Sequence, residues 1–146
     1  MTTVKAFTDG ACKHNPGPGG WGVLLIYKDK RKEIYGGERN TTNNRMELTA
    51  IIKALETIKP GFDIDIYTDS KYVQNGITKW INNWKINNWR TVNGKEVKNV
   101  DLWEKLDELR QNRTINWNWI KAHNGHFENE RADYLANLGI HHSKPN

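Results

Sequence analysis

A chain of 146 residues with one cysteine and a formal net charge of +5 is sized for a single domain, and it excludes a disulfide framework or a cysteine-bound zinc site. No apolar run approaches the length of a membrane span, and the opening MTTVKAFTDG lacks the basic and apolar regions of a secretory leader, so a place in the reducing cytoplasm is the expectation. Seven tryptophans and clear periodic segments argue for a folded protein although only 36% of residues are hydrophobic.

Residues 3 to 12 read as a strand, with Val4, Ala6 and Thr8 alternating against Lys5, Phe7 and Asp9. KHNPGPGG, residues 13 to 20, reads as a turn-rich loop, and WGVLLIYK and KEIYGGER as two antiparallel strands joined across DKR. Leu48, Ile51, Ile52, Leu55 and Ile58 recur at spacings of three and four, the clearest helix, which Pro60 and Gly61 stop. FDIDIYTD alternates as a fourth strand. Ser70 to about Leu109 is helical but interrupted at VNGK, and Asn99 is placed to cap the helix NVDLWEKLDELR. TINWNWIK gives a fifth strand, and a last helix starts near Glu128 with Ala132, Leu135, Ala136 and Leu138 as its apolar face. A mixed sheet with helices on its faces satisfies this order, and residues 140 to 146 read as a tail.

Two strands end alike, in FTDG at residues 7 to 10 and YTDS at 67 to 70. A carboxylate at a buried strand end is costly unless paired, hydrogen-bonded or metal-bound. If the two strands are parallel neighbours, Asp9 and Asp69 emerge at one sheet edge, where open α/β sheets hold ligands. Glu47, one turn into the first helix, and Asp133, in the last, are candidates to join them. Two like charges about 4 Å apart repel by about 4 kcal/mol at an effective dielectric near 20, which a divalent cation removes. Oxygen donors without cysteine select Mg²⁺ or Mn²⁺, and two such ions suit phosphodiester hydrolysis. Each residue also has an ordinary reading. Asn44 to Glu47 fits a capping box, Asp9 and Asp69 suit turns before Gly10 and Ser70, and Asp133 suits a charged helix surface.

KAHNGHFENERAD places His123 and His126 on a glycine-containing approach to the last helix, where a histidine can carry protons or sit exposed. NTTNNR, before the Glu47 helix, offers hydroxyls, amides and a helix N-terminus to a phosphate or sugar hydroxyl, or caps and turns. Residues 79 to 98 carry Lys79, Lys85, Arg90, Lys95 and Lys98 against Glu96 alone, five minus one, so most of the excess charge lies there. Such a stretch points to a polyanion, or is a solvated helical face. Trp80 and Trp84 are spaced to pack a helical pair, and Trp89 beside Arg90 is the better candidate for stacking on a nucleic acid.

FTDGACKHNPGPGGWG, TTNNRMELTA, YTDS, KNVDLW and KAHNGHFENERADYLA, in order from about residue 3 to 138, together resemble bacterial type 1 ribonuclease H. The resemblance implies an α/β ribonuclease H-like fold, a five-stranded mixed sheet of order 3-2-1-4-5 with helices on both faces. The chain reads as a single catalytic domain over residues 1 to 146, with a monomer as the default expectation. The resemblance also implies cleavage of the RNA strand of RNA–DNA hybrids to 5′-phosphate and 3′-hydroxyl ends, in the removal of primers and R-loops. The family's metal ligands fall on Asp9, Glu47, Asp69 and Asp133, for Mg²⁺ with Mn²⁺ as a substitute, and its loop histidine on His123. Its 2′-hydroxyl contacts match Asn15, Asn43 and Asn44, the handle by which RNA is told from DNA. A DNA phosphate pocket would use Thr42 and Asn99, and the basic protrusion, residues 80 to 98, would bring Trp80, Lys85, Trp89, Arg90, Lys95 and Lys98.

Three positions depart from the family pattern. Asn40, with Arg39 beside it, stands where several relatives carry Arg; KINNW interrupts the protrusion's basic run; and Ala122 replaces a Gly before the loop histidine. Weaker, more salt-sensitive hybrid binding is the expectation. Two other functions compete: a silent hybrid- or duplex-binding module, which gains nothing from four carboxylates facing phosphates, and a resolvase or transposase core, which usually brings further domains.

Overall fold

The computed structural model describes residues 2 to 121 and 126 to 143. Five strands, β1 (Thr3–Cys12), β2 (Gly17–Tyr27), β3 (Lys30–Thr41), β4 (Asp63–Thr68) and β5 (Ile115–Trp119), form one sheet of order β3-β2-β1-β4-β5. β1 is antiparallel to β2 and parallel to β4, and β4 is parallel to β5, so the sheet is mixed as expected.

Helices cover both faces. α1 (Asn43–Thr57) and α4 (Val100–Leu109) enclose the larger core, in which Ala6, Val23, Leu48, Ile51, Leu55, Ile64, Ile66, Trp103 and Leu106 are all buried. α5 (Phe127–Ser143) closes the smaller one, formed by Phe7, Leu24 and Ala132. Because β1 is covered on both sides, its two alternating residue sets are both buried over Ala6 to Thr8. Between β4 and α4 run α2 (Lys71–Asn75), a π-helical turn (Gly76–Trp80) and α3 (Ile81–Ile86). A Cβ on Gly76 would lie within 2.9 Å of the Trp103 ring, so the interruption seats a tryptophan against bare backbone.

Several boundaries differ from the sequence reading. Gly17 to Gly20 belong to β2 rather than to a loop, and close neighbours crowd them: a Cβ on Gly19 would run into Thr41 Cγ2 and one on Gly20 would meet the Gly139 carbonyl carbon of α5 at 2.7 Å, while further along β2 one on Gly22 would meet the Ala132 oxygen at 2.5 Å. α1 is capped by Thr42, whose Oγ1 accepts from the Arg45 N–H at 3.2 Å, so Asn44 to Glu47 is not a capping box. Asn99 precedes α4 in a left-handed conformation (φ 61°), and its side chain makes no cap hydrogen bond. Leu138 is only half-buried, while Gly139 and Ile140 continue the buried stripe of α5. His141 to Ser143 are helical rather than loose tail, and Ser143 is buried with its hydroxyl on the Ile140 carbonyl at 2.8 Å.

Candidate active site

β1 outruns its neighbour. Its pairing with β4 extends to Phe7 and Tyr67, whose rings stack at 4.5 Å, whereas its pairing with β2 continues to Cys12. Asp9 therefore lies inside β1, opposite Gly22, where β4 has let go, rather than at the strand's end. Asp69 occupies the corner between β4 and α2. That corner is fixed by Thr68 Oγ1, which accepts from the Ser70 N–H at 3.2 Å, and by Ser70 Oγ, which caps α2 at the Val73 N–H. Two strand ends that were parallel and adjacent thus open into a fork with one aspartate on each tine.

Glu47 and Asp133 reach the fork from opposite faces. Gly10 lets α1 settle on the end of β1, since a Cβ there would lie 2.8 Å from the Glu47 Cα and nearer still to its nitrogen. On the other face α5 presents Asp133, which hydrogen-bonds Asp9. Asn137, one turn on, donates to the Asp133 carbonyl at 2.9 Å.

The four carboxyls are half-buried and act on one another. Burial, then Asp69, then the hydrogen bond to Asp133 and the charges of Asp133 and Glu47 push Asp9 up to about 8. Burial and the neighbouring carboxyls together favour the neutral form of Asp9. Burial, assisted by Asp69, pushes Glu47 up to about 7, against the lowering effect of hydrogen bonds from Ser70 and Asn43. Among the described residues, no three His, Cys, Asp or Glu side chains are drawn into a ready-made metal cage. The arrangement is a loose oxygen-only cluster with surplus negative charge, the donor chemistry of an ion that keeps waters and substrate oxygens in its shell.

The amides adjoin the carboxylates. Asn15 Oδ1 accepts from the Asn43 N–H at 2.9 Å, and Asn43 Nδ2 donates to Glu47 Oε1 at 2.7 Å. Asn44 is half-buried on the same first turn of α1. Thr42 and Asn99 are both tied to Arg45, through its backbone N–H and its Nη1 at 3.3 Å respectively. His123 lies outside the described residues, as does Ala122. His126 precedes α5 and accepts from the Glu130 N–H at 3.0 Å.

The protrusion is ordered around tryptophans: Trp80 and Trp84 pack together as their spacing implies, while Trp80 is the more exposed and Trp89 the less. Trp80 is 38% exposed, with its ring against Trp84 and Tyr72, whereas Trp89 is half-buried on the larger core. Trp84 packs edge-on to Trp103. Lys85 is ion-paired with Asp107 at 3.1 Å, and Arg90 donates to the Gly94 carbonyl at 3.1 Å. Lys95 and Lys98 are exposed. Sequence reasoning missed Ser70, Tyr72, Arg45 and Asn137. Only Ser70 gave a signal, as the small residue after the second Asp, while the others matter through tertiary neighbours.

The fold and the clustered carboxyls place the chain among α/β domains of ribonuclease H-like architecture. LC9-RNase H1, described as a type 1 RNase H with the type 2 active-site motif, superposes with a TM-score of 0.88 at 30% identity, covering 99% of this chain and 74% of that one. LC11-RNase H1, solved in complex with an RNA/DNA hybrid, gives 0.74 at 23% identity, covering 96% of this chain and 98% of that one, a likeness of fold. The family model for RNase H matches residues 1–141. A ribonuclease H of Hahella chejuensis is 60% identical over 96% of this chain and 95% of its own length, and one of Francisella tularensis subsp. novicida is 58% identical over 94% and 90%. The chain belongs to the ribonuclease H family, and it is accordingly a nuclease and a hydrolase.

Proposed function

We propose that this chain hydrolyses the RNA strand of RNA–DNA hybrids, leaving 5′-phosphate and 3′-hydroxyl ends, with Asp9, Glu47, Asp69 and Asp133 as ligands for Mg²⁺ or Mn²⁺. The observation that carries the reading is the Asp9 carboxyl, pushed up to about 8 by burial and by three other carboxyls. A protein gains nothing by storing that repulsion unless a cation is to relieve it. When bound, such ions supply the positive charge that acidifies a water and stabilises a leaving oxygen.

The chain's own residues do the rest. Asp9 and Glu47 would hold the ions as carboxylates, and Asn43 and Ser70 keep the Glu47 carboxyl oriented through their hydrogen bonds. Asn15, Asn43 and Asn44 lie beside Glu47 and offer the amide donors and acceptors that a 2′-hydroxyl requires, so the RNA strand is held against the carboxylates. Thr42 and Asn99 receive a phosphate of the DNA strand. Trp80 presents an exposed face, Lys85, Arg90, Lys95 and Lys98 form the basic surface, and the half-buried Trp89 offers a ring edge between them. His123 handles the proton of the departing product. The hybrid that LC11-RNase H1 holds supports the substrate. The reading is of a monomeric enzyme of the cytoplasm, acting on primers and R-loops as one domain over residues 1 to 146.

The test is one labelled RNA strand offered single-stranded, in an RNA duplex and in a hybrid, with Mg²⁺, with chelator, and with Asp9→Asn protein. Cutting confined to the hybrid and lost with chelator and in the variant is expected. Binding without cutting in either metal would overturn the proposal.

A further inference from the structure

Asn99 is gripped at both ends of its amide. Arg45 Nη1 lies 3.3 Å from Oδ1, and Nδ2 lies 3.0 Å from the Tyr72 hydroxyl, which also accepts the Trp103 indole N–H at 2.9 Å. A guanidinium has donors only, so it dictates that the amide turn its oxygen inward and its nitrogen toward Tyr72. One N–H of Nδ2 serves Tyr72, and the other remains for a ligand. The same residue constrains Thr42, because the Arg45 backbone N–H donates to Oγ1 at 3.2 Å and leaves the hydroxyl hydrogen to be given away. Arg45 is itself locked, as Nη1 and Nη2 form a fork onto the two Asp101 oxygens at 3.0 and 2.7 Å.

We propose that Arg45, held by Asp101, is a positioning residue that sets the hydrogen-bond polarity of the Asn99 amide, so that beside the Thr42 hydroxyl it turns a donor to a phosphate. This rests on the reading that Thr42 and Asn99 face the DNA strand. Arg45 need not touch the phosphate. Without it, the only grip on the Asn99 amide is a phenol hydroxyl, which can accept or donate and therefore holds either end. The amide is then free to turn its oxygen toward the anion.

The experiment combines steady-state cleavage with hybrids in which single DNA phosphates are replaced, one at a time, by neutral methylphosphonates. In the wild type one position should raise KM about tenfold. Arg45→Met should raise KM about tenfold with kcat within about twofold, and should abolish the sensitivity at that one position. Asn99→Ala should do the same, and the double variant should be no worse than Asn99→Ala within about twofold, since the two act through one contact. Asp101→Asn, at an exposed carboxylate, should give a smaller KM rise with the same lost position, and it serves if Arg45→Met fails to fold. A merely structural Arg45 would lower the melting temperature and leave the methylphosphonate profile intact, which overturns the proposal. An Asn99→Ala protein with unchanged KM overturns the phosphate-pocket reading beneath it, whereas a defective Asn99→Ala beside normal Arg45→Met and Asp101→Asn overturns this inference alone.

Discussion

Gly10 lies flat against Glu47, so closely that a Cβ on the first would come within 2.8 Å of the Cα of the second. One hydrogen atom thus sets the distance between the strand that bears Asp9 and the helix that bears Glu47. The backbone on both sides is regular secondary structure and cannot yield locally. Gly10→Ala must lift the N-terminal turn of α1 off β1, carrying Glu47, Asn43 and Asn44 with it. We expect a stability loss of about 1–3 kcal/mol and a fall in kcat of at least about tenfold, because displacement of a ligand by a fraction of an ångström suffices. Denaturant unfolding and single-turnover cleavage check the two parts separately.

The proton that Asp9 holds up to about pH 8, and Glu47 up to about pH 7, leaves near the ordinary values of 3.8 and 4.5 once the chain unfolds. Between those limits the folded protein binds more protons than the unfolded one, so stability falls as pH rises. It is fully present below about pH 4 for these two groups and lost by about pH 8. Metal-free protein should therefore melt on the order of 5 °C lower at pH 8 than at pH 5. Mg²⁺ at pH 8 should recover much of the difference, and Asp9→Asn should flatten the dependence while abolishing cleavage. A metal-free melting curve independent of pH over this range would contradict the clustering.

Arg113 clamps the far end of α1. Its Nη1 donates to the Leu55 carbonyl at 2.9 Å and its Nη2 to the Ile58 and Lys59 carbonyls at 2.8 and 2.9 Å, placing a cation where the helix's unpaired oxygens collect. Arg113→Ala should cost about 2–3 kcal/mol by leaving those carbonyls half-buried and unmet. Since the clamp lies at the opposite end of α1 from Glu47, kcat at a temperature where the variant is folded should be unchanged. Thermal melts paired with rate measurements check this.

The protrusion can be made more basic, but not at every position. Asn88 has φ 53°, which asparagine tolerates and arginine does not, so Asn88→Arg adds strain along with charge. Asn87 has φ −94°, and Ile86 is 78% exposed, so lysine fits at both without backbone cost. Ile86→Lys with Asn87→Lys should tighten hybrid binding several-fold at low salt and steepen the dependence of log K on log salt by about 0.7–0.9 per phosphate gained. Anisotropy titrations at several salt concentrations read both, and an unchanged slope would show that this surface does not meet the backbone.

What the sequence made legible was what local periodicity controls. The three-and-four spacing from Leu48 to Ile58 identified α1, alternation from Ile115 to Trp119 identified β5, and the repeated aromatic-Thr-Asp identified two candidate carboxylates. What it concealed was set by distant partners. Gly17 to Gly20 look like a turn by composition and are strand, with Gly19 crowded by Thr41 and Met46 and Gly20 by the backbone of α5. Asn44 fits a capping box, yet Thr42 is better placed to accept from the Arg45 N–H. Asn99 seemed a helix cap, but the pull of Arg45 and Tyr72 on its amide, from residues 54 and 27 positions away, takes its side chain elsewhere. Trp80 packs on Trp84 as its spacing implies yet stays 38% exposed, whereas Trp89, at positive φ like Asn88 before it, is half-buried against the core.

The seat of α5 has a further consequence. Where most helices rest on a sheet only through cushions of side chain that can repack, this one, besides its contacts with Phe7 and Leu24, rests through the main chain itself at Gly20, Gly22, Gly37 and Gly139. Main chain has no alternative rotamers, so the contact fixes a reference height from which Asp133 is measured. A change elsewhere in the core can be absorbed by neighbouring methyl groups, but a change of a single methyl here passes undiminished along the helix to the acid at its second turn. The tolerance of the carboxyl spacing is thus written into residues that carry no chemistry at all.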